Sequence, residues 1–140
     1  MGGIAFVFPG QGSQAPGMGL DLYTHSPAAR QVLELAEGQM PGLMKLCFEG
    51  PMDRLTQTGT AQPALFAVGM AAARAAEEMG IQADAAAGFS LGEWTAACHA
   101  GLMGLEDALR LVIQRGQWME ACARENPGGM SAVLRLHKDA

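Results

Sequence analysis

Gly88-Phe89-Ser90-Leu91-Gly92 places a serine between two glycines in the pattern G-x-S-x-G. A serine hydroxyl attacks a carbonyl best when it projects from a tight, strained turn between a strand and a helix. Glycines two before and two after it let strand and helix pass closely. The backbone N–H of Leu91, at the helix start, can then face a developing oxyanion, helped by the helix dipole. In a chain rich in Ala and Gly, the same pentapeptide also suits an ordinary turn.

A second candidate is the loop Phe8-Pro9-Gly10-Gln11-Gly12-Ser13-Gln14. It is no P-loop, because no Gly-Lys-Ser/Thr follows, and its glycines miss the G-x-G-x-x-G register. It offers backbone N–H groups near the carboxyl end of a strand, where α/β sites form. The plain alternative is a turn.

A third is Arg115. On a helix advancing about 100° per residue, Ala108, Val112, Met119 and Cys122 form one stripe with Arg115 in its middle. The opposite face carries Arg110, Gln114, Gln117 and Arg124, as a solvated face should. A guanidinium cannot shed its proton, and a buried unpaired charge costs several kcal/mol. Its partner is therefore either an internal carboxylate or the carboxylate of a ligand.

These residues need elements to hold them. Ile4 to Phe8 is an apolar run, rich in aromatic and β-branched residues, that reads as a buried strand. The loop after it runs to about Gly19. Ser26-Pro27 opens a helix to about Glu37. A short helix from Leu43 to Phe48 follows, and then an Ala-rich helix from Thr60 to Met79 that Gly80 ends. Gln62-Pro63 falls in its first turn. Ala83 to Ala87 has poor strand propensity and is read as a strand from its position alone. Helices over Leu91–Ala100 and Leu105–Arg124 come next, and then a strand from Met130 to Leu136. Strands separated by helices imply an α/β architecture with a mainly parallel sheet.

With 140 residues the chain can bury a real core, and 49% apolar residues exclude disorder by low hydrophobicity. A net charge of −5 argues against nucleic-acid binding, since no basic stripe is present. No apolar run reaches the ~18 residues of a membrane span, so no membrane role is expected. Cys47, Cys98 and Cys122 form an odd set without CxxC spacing. A disulfide framework or metal site is not expected, and a cytoplasmic location is. The ten methionines are expected to fill the core, with Cys98 and Cys122 as buried hydrophobes.

FPGQGSQ (8–14), GMGLDLY (17–23), TGTAQPAL (58–65), GFSLGEW (88–94) and RGQWM (115–119) stand in an order that resembles the malonyl-CoA:acyl carrier protein transacylase family. Five collinear motifs along nearly the whole chain are more specific than any one alone. The resemblance implies ping-pong acyl transfer in fatty-acid or polyketide synthesis. Ser90 would take the malonyl group from malonyl-CoA as an ester. The phosphopantetheine thiol of an acyl carrier protein would then remove it. The N–H groups of Gln11 and Leu91 would form the oxyanion hole. Arg115 would grip the malonyl carboxylate, and Gln62 would support the site. No metal or redox cofactor is implied.

Two departures stand out. Phe89 replaces the histidine that often precedes the nucleophile in this family. The family's catalytic histidine, which lies well C-terminal to the serine, has no counterpart here. His99 sits nine residues along the elbow helix, about 13 Å from Ser90 at ~1.5 Å per residue. His25 reads as a surface residue, and His137 as part of a solvated end beside Lys138 and Asp139. Glu93 suits a helix N-terminus and, like Trp94, gets no catalytic role.

The expected fold is an incomplete α/β-hydrolase-like large subdomain (1–127), followed by the first strand of a ferredoxin-like small subdomain (128–140). Little activity is expected of this chain alone, and a missing C-terminal half would be a partner. Two other readings share the elbow: a serine hydrolase or thioesterase, and a non-catalytic half that needs a second chain.

Overall fold

The computed structural model describes residues 2–129. The expected strand Met130–Leu136, and His137 with its charged neighbours, lie outside the described residues.

Strand β1 (Ala5–Phe8) pairs parallel with β2 (Ala85–Gly88) in the register Ala5 to Ala85 and Phe8 to Gly88. Asp84 clamps the start of the ladder. Its carboxylate accepts from the Ile4 N–H at 2.8 Å, and its own N–H donates to the Ile4 carbonyl at 2.8 Å. The Phe89 N–H extends the ladder to the Phe8 carbonyl at 3.1 Å. This pairing makes a strand of an alanine run with poor intrinsic propensity. The arrangement is α/β with a small parallel sheet.

Between the strands run α1 (Leu20–His25), α2 (Pro27–Gln39), α3 (Leu43–Glu49), α4 (Met52–Leu55) and α5 (Thr58–Glu78). After β2 come α6 (Leu91–His99) and α7 (Leu105–Glu125). Ser26 caps α2, its hydroxyl accepting from the Ala29 N–H, with Pro27 in the first turn. Helix α5 is the centre of the molecule. Every residue from Thr60 to Ala67 is buried, and α2, α6 and α7 pack around it. Phe66, Leu33, Leu43, Leu55, Met70, Leu91, Leu109 and Val112 are the large side chains of this core.

Several expectations need correction. Strand β1 is not buried on both faces. Phe8 packs with Ala73 of α5 and Ala96 of α6, but Val7 is 74% exposed because no described element covers its face. The short helices α1 and α4 occupy stretches to which the sequence reading assigns no element, since one or two turns carry too little periodicity to register. Helix α5 starts two residues earlier than expected, so Pro63 lies in its second turn. Proline there leaves the Gly59 carbonyl without its usual donor. The buried residues of α7 are Ala108, Leu109, Val112 and Gly116, so the expected stripe is buried only at Ala108 and Val112. Met119 is 44% exposed and Cys122 is exposed, although the start of α5 still reaches Met119 and Glu120 through Gln62 and Gly59. Met52 and Met79 also face solvent, so methionine is not uniformly core filler here.

Candidate active site

Ser90 stands between β2 and α6 with φ 52° and ψ −101°, the only described non-glycine residue at positive φ. Such a backbone costs about 1–3 kcal/mol and persists only where its surroundings impose it. Here the two flanking glycines impose it. A Cβ on Gly88 would lie 2.0 Å from the backbone carbon and oxygen of Gly92. One on Gly92 would lie 2.1 Å from the Phe8 carbonyl oxygen. Strand β2, helix α6 and the end of β1 therefore meet at distances that no side chain allows. Ser90 itself is exposed, and Leu91 behind it is buried.

The Leu91 N–H heads α6 and finds no acceptor among the described residues, and neither does the Gln11 N–H. The tip of the loop after β1 is ordered internally. The Gly12 N–H donates to the Gln14 side-chain oxygen at 2.8 Å, and the Ser13 hydroxyl donates to the Gly10 carbonyl at 2.9 Å. Gln14 is buried.

Arg115 reaches this elbow from α7. Its guanidinium donates to the Ser90 hydroxyl at 3.2 Å and to the side-chain carbonyl of Gln62. Arg74, Arg110 and Arg124 each sit against a carboxylate, whereas Arg115 forms no salt bridge with any described residue. The internal ion pair left open by the sequence is therefore absent among the described residues. Arg115 is half-buried rather than fully enclosed, which lowers the cost of carrying its charge. Gln62 is buried and fully engaged: its carbonyl takes Arg115, and its amide donates to the Met119 sulfur at 3.1 Å. It is a direct hydrogen-bond partner of the cation.

Three residues thus come together, Ser90, Arg115 and Gln62. His25 is exposed at the end of α1, away from the elbow. His99 closes the far end of α6, its ring 5.1 Å from Phe6 and 5.9 Å from Phe8, with Nδ1 buried 3.6 Å from the Glu77 carboxylate. Glu93 is in the first turn of α6. Burial pushes the Cys47 thiol up to about 12 and also raises Cys98, so neither is a thiolate nucleophile. Among the described residues no group of three or more His, Cys, Asp or Glu could hold a metal ion, and no helix is long and apolar enough to cross a membrane. An apolar groove lined by Phe6, Phe8, Gly69 and Ala73 runs beside β1, but neither Ser90 nor Arg115 lines it.

Two residues went unnoticed in the sequence. Thr58 accepts a hydrogen bond from the Gln11 side-chain amide at 3.2 Å, and Glu120 accepts from the Gly59 N–H at 2.9 Å. The spacing of Thr58 and Gln62 carried the signal for the first, because residues four apart share a helix face.

The family model for an acyl transferase domain matches residues 5–139. The chain is 41% identical over 141 residues to a malonyl CoA-acyl carrier protein transacylase of Bacillus subtilis, covering 100% of this chain and 44% of that protein. It superposes with a TM-score of 0.81 and 46% identity on an acyl-carrier-protein S-malonyltransferase from Bartonella henselae, covering 86% of this chain and 40% of that one. A structure of a type II polyketide synthase acyl-carrier protein in complex with its malonyl-transacylase matches with a TM-score of 0.79 at 39% identity, covering 86% and 40% respectively. The chain spans less than half the length of these relatives.

Proposed function

The chain belongs to the acyl transferase domain family, and from that membership we propose that it carries the acyl-binding part of a malonyl transfer site serving fatty-acid or polyketide synthesis. The observation that carries this reading is Arg115: a guanidinium beside a strained serine, met among the described residues only by the neutral oxygens of Gln62 and Ser90. A cation so placed suits an acyl group that ends in its own carboxylate, which guanidinium binds bidentately.

In this reading malonyl-CoA docks with its free carboxylate on Arg115. The carboxylate replaces the Ser90 hydroxyl as acceptor, which frees a serine lone pair. Ser90 Oγ then attacks the thioester carbonyl and gives up its proton. The tetrahedral oxyanion is met by the N–H groups of Gln11 and Leu91, whose donors are unspent. Collapse breaks the C–S bond, coenzyme A leaves as the thiol, and malonyl stays as an ester on Ser90. The phosphopantetheine thiol of an acyl carrier protein attacks that ester in the second half-reaction. Neither His25 nor His99 is placed to take the serine proton, so the base comes from residues other than those described.

The same reading makes residues 1–127 part of a hydrolase-like larger subdomain. Residues 128–140 begin a smaller ferredoxin-like one, in a cytoplasmic enzyme that needs no metal.

Mixing the chain with malonyl-CoA at mildly alkaline pH and recording its intact mass tests the reading. The expected result is one added malonyl group, mapped to Ser90 and absent in Ser90→Ala. An adduct that survives Ser90→Ala refutes it, and so does a chain that stays unmodified when a histidine-bearing C-terminal half is supplied.

A further inference from the structure

We propose that Thr58 is a positioning residue for the Gln11 loop, a role that rests on the reading of Gln11 as an oxyanion donor. The hydrogen bonds of loop residues 9–14 close within the loop, except one. The Gln11 side-chain amide crosses to the Thr58 hydroxyl at 3.2 Å. This is the single hydrogen bond among the described residues that ties the loop tip to another element. Gly10, just before it, packs under Phe89, where a Cβ would meet the ring at 2.8 Å. The tip is thus pinned on one side by the elbow and on the other by Thr58.

Thr58 is itself well anchored. It opens α5, and the next residue, Gly59, donates its N–H to the Glu120 carboxylate of α7 at 2.9 Å. One turn further, Gln62 holds Arg115. A single helix start therefore carries the tether for the oxyanion loop and the acceptor for the carboxylate-binding cation. A donor that acts only on the oxyanion must be held before the reaction, since reorganising it during the transition state would cost rate. The Thr58 hydroxyl supplies that hold from outside the reacting atoms.

Thr58→Val keeps the shape and removes the acceptor, whereas Thr58→Ser restores it. Backbone ¹⁵N relaxation of Gln11 and Gly12 reads the tether without any turnover. The parent and Thr58→Ser should show order parameters of about 0.85, and Thr58→Val should fall below about 0.6, with residues 61–67 of α5 unchanged. In the ester assay, Thr58→Val should slow Ser90 acylation about three- to tenfold with the KM for malonyl-CoA unchanged, because the lost hold matters only in the transition state. Loop amides as rigid in Thr58→Val as in the parent overturn the inference, and so does loosening that spreads along α5. A parent chain that forms no ester even with a histidine-bearing C-terminal half supplied refutes the malonyl reading instead and leaves the relaxation result to decide on Thr58.

Discussion

The guanidinium of Arg115 lies 3.2 Å from the hydroxyl of Ser90, and its other described side-chain partner is an uncharged amide oxygen. The β2–α6 elbow and the next helix, 25 residues on, thus bring a fixed positive charge and a strained hydroxyl into direct contact.

Arg115→Ala should weaken malonyl-CoA binding about 10- to 100-fold, the loss expected for a charge-assisted bidentate contact, and leave acetyl-CoA binding unchanged. Gln62→Glu should weaken malonyl-CoA binding similarly by another route, since it hands Arg115 an internal anion. Titration calorimetry with both thioesters checks this. Equal losses for malonyl and acetyl groups would mean that Arg115 is structural.

Gly88→Ala should destabilise the fold by at least about 3 kcal/mol, because its Cβ would collide with backbone atoms that cannot yield. Gly38→Ala, in α2 with open space around it, should stabilise by up to about 1 kcal/mol. Urea denaturation of both variants gives the comparison. A mild Gly88→Ala would mean the elbow can relax.

Stability should fall as pH rises from about 9 towards 12. Burial, with the Glu37 charge as the lesser cause, pushes the Cys47 thiol from its ordinary value near 9 up to about 12 in the folded chain. A raised folded pKa gives stability that is complete below the unfolded value. It is lost on going above it, as the unfolded state releases a proton that the folded state keeps. Denaturation across the alkaline range, with Cys47→Ala as control, isolates this share. A slope identical in both proteins removes Cys47 as its source.

Much of this was legible in the residues. The elbow was, because glycine spacing around a serine encodes a steric demand that the structure meets at Gly88 and Gly92. Helices α2, α3, α5, α6 and α7 were, because caps, glycines and periodicity agree. The exposure of Val7, Met119 and Cys122 was not. Periodicity says which side chains share a face, not whether another element covers that face. The pairing of Gln62 with Arg115 was hidden for a related reason: α5 and α7 meet across 53 residues of sequence, and no local pattern records which polar groups they share. Thr58 sat inside a quoted motif without a role, since its function depends on a loop 47 residues away.

A positive group that, among the described residues, faces only neutral oxygens does not discriminate among counter-ions. Phosphate, citrate and other small oxyanions in the medium can settle on Arg115 and compete with the substrate's own carboxylate. The apparent affinity of the site is thus partly a property of the buffer, and weakly coordinating salts should reveal it most fully.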